Sequence, residues 1–334
     1  MQAHPVTPIW VTLESRTTES LRGLSIASDS SIWASGAHGT VVRSLDGGSF
    51  ERVSVAVAEG LDFRSLHAFD EDHAIALSAG SPARAFVTSD GGASWTETFT
   101  REGGGVFYDS LAFRDADEGI AIGDPIDGRF AILVTHDGGQ SWQDAVGPEA
   151  QPGEAAFAAS NGCIAFAGDS TVVATSTRVL RSEGQSWASS SVPIVSSASA
   201  GIFAIAFRDA SIGYALGGDY EAPTSPGAFA RTSDGGASWQ SGAAPRGYRS
   251  SIAVSARVPG EPGRVGSATR TTPVEIAPSA LIVVGTSRSD ISYDEGASRS
   301  ALDDAPLNTV RVSGSIAIAV GPEGRITRLA LSAR

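Results

Sequence analysis

Thr88-Ser89-Asp90-Gly91-Gly92-Ala93-Ser94-Trp95 is a stretch that this chain repeats with few changes. Close copies stand at 44–50, 135–142 and 232–239, and weaker copies stand at 181–187 and 292–299. The aspartates at 46, 90, 137 and 234 are separated by 44, 47 and 97 residues. The last interval is about twice the others because it spans the weaker copy at 181–187. A turn that recurs at this interval predicts a repeat fold, here an all-β propeller.

The composition of the repeated stretch predicts a tight hairpin turn. Its Asp-Gly-Gly core tolerates positive φ, and the aspartate carboxylate can accept hydrogen bonds from the following backbone amides. The aromatic residue after the turn is expected to plug it against its own blade. The stretch resembles the Asp-box of sialidase-type (BNR) repeats, and this resemblance implies structural roles for Asp46, Asp90, Asp137, Asp234 and Asp294 and for Trp95, Trp142, Trp187 and Trp239.

The composition fits one closed propeller and limits the possible functions. The 334 residues are 41% hydrophobic, include 39 glycines, and contain no run long enough to span a membrane. A net charge of −13 argues against a nucleic-acid partner. The single Cys163 and the five histidines show no metal-ligand spacing, so no metal or cofactor is expected. No signal peptide is visible, although an exported, monomeric protein is favoured.

Strand patterns divide the chain into seven predicted blades. Six contain four strands each, at about 21–55, 63–99, 107–146, 154–194, 202–243 and 248–302. The last, 308–331, contains three strands, and the N-terminal segment 9–15 is expected to supply its fourth. Both termini would then close one blade and leave no open sheet edge. The polar, proline-rich and glycine-rich run 258–278 is predicted to be an insertion loop.

The predicted topology places a candidate binding site on one face of the ring. In a propeller, the D–A and B–C connections share the top face, and the aspartate turns lie on the bottom face. The starts of strand A carry Arg22, Arg64 and Arg249, which would form a positive patch at the channel mouth. The predicted ligand-binding set is Arg22, Arg64, Tyr108, Asp109, Asp124, Arg129, Asp219, Tyr248, Arg249, Ser287 and Asp290. Alternatively, the arginines pair with neighbouring acids and tie the blades together.

Two enzymatic alternatives remain open at this point. A sialidase needs three convergent arginines, a tyrosine activated by a glutamate, and an acid/base aspartate. No glutamate is obviously placed beside Tyr108 or Tyr248. Another glycosidase would need two carboxylates about 5–10 Å apart, which Asp109 and Asp124 could supply. A glycan-binding or glycoside-hydrolysing protein is therefore the alternative to a non-enzymatic one.

Four further motifs carry a resemblance that covers essentially the whole chain. They are Leu-Arg-Gly-Leu at 21–24, Trp-Ala-Ser-Gly-Ala-His-Gly-Thr at 33–40, Gly-Asp-Pro-Ile-Asp-Gly at 123–128 and Val-Gly-Pro-Glu-Gly-Arg-Ile at 320–326. Together with the turns, they resemble the bacterial propellers related to the photosystem II stability/assembly factor. This resemblance implies a seven-bladed, non-enzymatic factor that binds a protein or peptide segment. Arg22, Arg64, Arg129 and Arg249 would stand in for the family's cationic groove.

Overall fold

A computed structural model describes residues 8–184, 186–255 and 279–331. Within these ranges the chain forms 28 strands and no helix, and the strands assemble into seven four-stranded antiparallel sheets. No helix that could span a membrane occurs in this part of the chain. The seven-bladed all-β propeller predicted from the repeats is confirmed. The predicted insertion at 258–278 lies outside the described residues.

The strands of each blade follow one another along the chain. Blades 1 to 3 consist of β2 (Leu21–Ile26), β3 (Ile32–Gly36), β4 (Val41–Ser44) and β5 (Phe50–Arg52); β6 (Asp62–Ala68), β7 (Ala74–Ala79), β8 (Ala83–Thr88) and β9 (Thr96–Arg101); and β10 (Tyr108–Phe113), β11 (Glu118–Ile126), β12 (Arg129–His136) and β13 (Gln143–Ala145).

Blades 4 to 6 repeat the same order. They consist of β14 (Ile164–Ala167), β15 (Ser170–Ala174), β16 (Arg178–Glu183) and β17 (Ser186–Ser191); β18 (Ala200–Phe207), β19 (Gly213–Asp219), β20 (Ala228–Thr232) and β21 (Gln240–Ser241); and β22 (Ser251–Val254), β23 (Leu281–Val284), β24 (Ser289–Ser292) and β25 (Ser300–Asp303).

Blade 7 joins the two ends of the chain. It consists of β26 (Thr309–Ser313), β27 (Ile316–Val320), β28 (Ile326–Ala330) and, as its outer strand, β1 (Val11–Leu13). The register of β1 on β28 pairs Val11 with Arg328. Trp10, just before β1, donates from Nε1 to Ser289 Oγ of blade 6 at 2.9 Å. The ring is therefore closed by the N-terminal strand, as the sequence predicts.

The hydrophobic core is divided among the interfaces between neighbouring blades. Between blades 7 and 1, for example, Leu21 and Ile32 pack in one cluster with Ile316, Ile318 and Ile326. Six comparable clusters lie between the other blades. Because each inner sheet is covered on both faces, β3, β23 and β27 consist entirely of buried residues.

The aspartate turns have one hydrogen-bond pattern. Asp90 Oδ1 accepts from Thr88 Oγ1 and the Ser94 amide, both at 2.9 Å, and its Oδ2 accepts from Ser94 Oγ at 2.6 Å. The same pattern recurs at Asp137, Asp234 and Asp294, and Asp46 forms a shorter version. Each of these carboxylates thus accepts its hydrogen bonds from residues of its own turn.

The aromatic residue of the turn reaches the preceding blade as well as its own. Trp95 of blade 2 donates to Val53 O of blade 1 at 2.9 Å and meets Trp33 edge-on at 6.4 Å. Trp239 of blade 5 donates to Ser190 Oγ of blade 4. The expectation that the aromatic residue plugs only its own blade was therefore too narrow. The turn follows the outer part of its blade, which faces the neighbouring sheet, so a large side chain there spans the interface.

A segment of blade 4 that forms no strand occupies the central channel. Its residues 157–162, called the plug below, precede β14. Ala159 O accepts from Arg22 of blade 1, and Asn161 O accepts from Arg311 of blade 7 at 2.6 Å. Asn161 Oδ1 accepts from the Leu111 amide of blade 3, and Ser160 Oγ donates to Ser250 O of blade 6. Only a segment in the middle of the ring can contact all of these blades, so the plug separates an upper pocket from a lower chamber.

Candidate functional site

The upper pocket lies at the top mouth of the channel, with the plug as its floor. Its volume is about 350 Å³, within the size range of small-ligand or side-chain pockets. It is lined by strand-A starts, by B–C loops and by the plug. The lining residues are Arg22, Arg64, Phe157, Ala158, Ala159, Phe203, Tyr220, Tyr248, Ser250, Thr286 and Asn308.

Two arginines form one wall of the upper pocket. Arg22 donates from Nη1 to Ala159 O at 3.0 Å and forms no ion pair among the described residues. Burial lowers its pKa, and the neighbouring charge of Arg64 lowers it further. Arg64 pairs through Nε with Asp62 at 2.8 Å. The wall therefore carries more positive charge than its acids neutralise, which favours an anionic or carbonyl-rich ligand.

Four aromatic rings form the opposite wall. Phe157 of the plug stacks on Phe203 with ring centroids 4.0 Å apart. Tyr248 and Tyr220 meet Phe203 edge-on at 4.8 and 6.2 Å. Burial raises the pKa of Tyr248, so its hydroxyl stays protonated at neutral pH. Tyr220 is 47% exposed and forms the outer end of this wall.

Arg249 lies one position before the repeat position of Arg22 and Arg64, which Ser250 occupies in blade 6, and it is sealed away from the pocket. Its side chain is fully buried, and its Nη2 and Nε donate to Asp290 Oδ2 at 2.5 and 3.2 Å. Its Nη1 donates to Tyr248 O at 2.9 Å. Arg249 and Asp290 thus satisfy each other inside the wall and hold the backbone behind Tyr248.

Asp109 and Asp124 lie behind the plug and line no part of the upper pocket. Asp109 is buried, accepts a hydrogen bond from the Ala158 amide, and has no partner for Oδ2 among the described residues. Burial raises the pKa of Asp109 well above its usual range, and the nearby Asp124 raises it further. Asp124 Oδ1 accepts from the Ala156 amide at 3.0 Å, and burial raises its pKa too. Both carboxyls therefore support the segment that leads into the plug.

The other residues of the predicted set lie outside the pocket. Tyr108 OH accepts from Arg101 at 2.7 Å, and Arg129 pairs with Glu149 at 2.7 Å. Asp219 Oδ1 accepts a hydrogen bond from the Glu221 amide, and Ser287 Oγ donates to Pro223 O.

The structure thus brings together three residues of the predicted set, Arg22, Arg64 and Tyr248. The plug residues of the pocket were missed because blade 4 shows no charged strand-A start. The absence of such a start was the one feature of the sequence that could have indicated an irregular segment there. Phe203, Tyr220 and Asn308 stand at strand-A or B–C positions of the repeat, so the repeat alignment assigns them to the top face, although the predicted ligand-binding set does not include them.

The described part of the chain contains no group of three or more His, Cys, Asp or Glu side chains that could hold a metal ion. Cys163 is buried and donates from Sγ to Phe157 O at 3.0 Å. Burial raises its pKa to about 12, so Cys163 stays a thiol and supports the plug.

Comparison with solved structures finds the same fold at low sequence identity. The chain is similar to YCF48 bound to D1 peptide, with a TM-score of 0.64, 16% identity and 99% of both chains covered. It is also similar to YCF48 from Cyanidioschyzon merolae, with a TM-score of 0.59, 14% identity and 96% and 99% of the two chains covered. The WD40 repeats of RRP9 give a TM-score of 0.64 at 13% identity, covering 97% and 98%. No protein-family model and no curated protein matches the chain.

Proposed function

We propose that this protein is a non-enzymatic binding factor that holds a segment of a protein partner in the upper pocket. The observation that carries the proposal is the pairing of a cationic wall with an aromatic wall above a closed floor. Arg22 and Arg64 would bind carboxylates or backbone carbonyls of the partner segment. Tyr248, Tyr220 and Phe203 would pack against an apolar or aromatic side chain of that segment.

Among the similar structures there is support for a peptide ligand. One similar structure is bound to a peptide, and WD40 repeats share the same closed-ring architecture. We infer further that the aspartate turns are Asp-boxes and that the chain acts as a monomer of the assembly-factor type. Arg249 and Asp290 take a supporting role in this proposal, and Arg129 lies too far out along blade 3 to join the pocket.

Peptide selection tests the proposal directly. A random peptide library is selected on the immobilised full chain and on the double variant Arg22→Gln/Arg64→Gln. Arg52→Gln, an exposed arginine on strand β5, serves as the matched control. We expect peptides with an acidic group near an aromatic residue, held about tenfold or more weakly by the double variant and unchanged by the control.

The affinity should also fall with added salt, and Tyr220→Ala should weaken binding without changing stability. Fluorescence anisotropy with a labelled selected peptide measures both effects. Equal binding by the wild type and the double variant would place the peptide elsewhere and contradict the proposal. A glycoside that the wild type hydrolyses and Asp124→Asn does not would favour the glycan alternative.

A further inference from the structure

The lower chamber, on the opposite side of the plug, has an uneven ring of side chains. Its volume is about 380 Å³, and strand A of every blade contributes to its wall. One equivalent position of each strand A faces the lumen. In blade order, these residues are Ser25, His67, Ala112, Ala165, Ala206, Ala253 and Arg311. Three adjacent blades, 7, 1 and 2, therefore supply a polar arc, and the other four supply an arc of alanines.

Arg311 places an uncompensated positive charge at the inner end of this chamber. Its Nη1 donates to Val310 O at 2.9 Å, and its Nη2 donates to Asn161 O and Ser160 O. These bonds clamp the plug but leave Nε–H without a hydrogen-bond partner among the described residues. No carboxylate pairs with Arg311 in that part of the chain, and burial alone lowers its pKa to about 10. Arg311 is half-buried in the chamber wall, and a cation largely removed from water without an anion is costly, so this position favours a bound anion.

His67 lies beside this charge and adds a neutral polar group. Its ring contacts Phe69 and Phe113 at centroid distances of 4.7 and 4.9 Å. Neither ring nitrogen has a hydrogen-bond partner among the described residues. Burial, helped by the charge of Arg311, lowers the pKa of His67 to about 4, so the ring is uncharged at neutral pH. A ligand at Arg311 could therefore gain a hydrogen bond from His67 without a second cation.

The wall of the chamber nearer the plug is apolar. A layer of Leu24, Leu66, Leu111, Ile164, Ile205 and Ile252 lines the wall nearer the plug. The described A–B turns at the mouth carry both signs of charge: Asp70, Asp115 and Asp209 are each held by two backbone amides of their own turns, and Arg208 pairs with Asp209 at 3.0 Å. A single negative charge that reaches Arg311 is stabilised in the less polar interior of the chamber.

We propose that the lower chamber is a binding site for a small monocarboxylate with an apolar body. The carboxylate would accept from Nε–H of Arg311 with His67 at its side, and the apolar body would lie against the alanine arc. This site is independent of the upper pocket, because the plug separates the two.

Calorimetric titration of the full chain tests the proposal with three probes of one shape. These are 3-phenylpropionate, the uncharged 3-phenylpropanamide and the cationic 3-phenylpropylamine. We expect the carboxylate to bind, the amide to bind about tenfold or more weakly, and the amine to give no signal. No binding of the carboxylate, or equal binding of the carboxylate and the amide, would overturn the proposal.

Variants that fill the chamber locate the bound carboxylate. Ala206→Leu and Ala165→Leu reduce the apolar space but leave Arg311 and its clamp on the plug intact. Both should bind 3-phenylpropionate about tenfold or more weakly than the wild type, and Arg52→Gln should bind it unchanged. If both leucine variants are folded by circular dichroism and bind like the wild type, the ligand lies elsewhere and the proposal fails. Arg311→Gln removes the charge directly and should also weaken binding of 3-phenylpropionate. If Arg311→Gln does not fold, the two leucine variants alone test the proposal.

Discussion

At the scale of single residues, burial and pairing separate the arginines that can bind from those that hold the fold. Arg22 lines the upper pocket without an ion pair among the described residues, whereas Arg249, one repeat position earlier in blade 6, is sealed against Asp290. Successive residues of a strand point to opposite faces, so this shift of one position turns Arg249 away from the pocket and towards Asp290. A guanidinium that meets a buried carboxylate becomes structural, whereas one that meets only backbone carbonyls keeps donors for a ligand.

Removing one member of the buried Arg249–Asp290 pair should strongly destabilise the protein. Arg249→Met leaves Asp290 buried without a countercharge, so we expect the free energy of unfolding to fall by about 3–5 kcal/mol. The double variant Arg249→Met/Asp290→Leu should lose much less, since neither charge remains. Urea unfolding of the wild type and the three variants, Asp290→Leu included, measures the coupling. Additive losses would show that the two side chains do not depend on each other.

The buried Asp109 should make stability depend on pH. Its raised pKa means that the folded protein keeps a proton that the unfolded chain releases above about pH 4. The contribution of Asp109 to stability should therefore be greatest below that pH and fall by about 1.4 kcal/mol per pH unit until its folded pKa is reached. Asp109→Asn mimics the protonated form and should remove this part of the slope. Urea unfolding from pH 4 to 8 measures it, and parallel curves for wild type and variant would contradict the assignment.

At the scale of the repeated elements, each aspartate turn ends in a side chain that joins its blade to the preceding one. In blade 6, Arg299 takes the place of the aromatic residue and still reaches back to blade 5. Its guanidinium lies over Phe229 at 4.3 Å and donates to Ala243 O. Its Nε and Nη2 are buried without hydrogen-bond partners among the described residues. The position therefore requires a long, flat side chain but not a charge.

An aromatic residue at position 299 should stabilise the ring. Arg299→Trp removes two unsatisfied buried donors, so we expect a gain of about 1 kcal/mol in the free energy of unfolding. The reciprocal Trp239→Arg should lose about 3 kcal/mol, because Trp239 is 92% buried between blades 4 and 5. Urea unfolding compares the two. A loss on Arg299→Trp would mean that the bond to Ala243 outweighs the unsatisfied donors.

At the scale of the whole molecule, closure and the plug determine what the ring can do. The outer strand β1 comes from the opposite end of the chain to β26, β27 and β28, so ring closure depends on a pairing of very high sequence separation. The plug then turns what would be a through-channel into two dead-end pockets. These pockets face opposite sides, which allows one small protein to carry two independent binding sites.

Removal of residues 1–14 should open the ring and expose an unpaired edge on β28. We expect a lower urea midpoint and concentration-dependent self-association, because an exposed strand edge pairs with other chains. Size-exclusion chromatography with light scattering measures the association. A synthetic peptide of residues 8–15 added to the truncated chain should restore the monomer. Val11→Ser, at a 61% exposed position of β1, is the matched control and should change stability by no more than about 0.5 kcal/mol.

The sequence alone determined the blade number, the aspartate turns, closure by the N-terminal strand, and the choice of top-face positions. These follow from local turn chemistry, from alternation along short strands and from a repeat interval, all of which are visible in neighbouring residues. Only the tertiary structure decided which of those positions form a pocket. Arg22 contacts Ala159 from 137 residues away, and Arg249 meets Asp290 across 41 residues. Such contacts depend on how whole blades pack, and the path of residues 157–162 through the channel has no local pattern that predicts it.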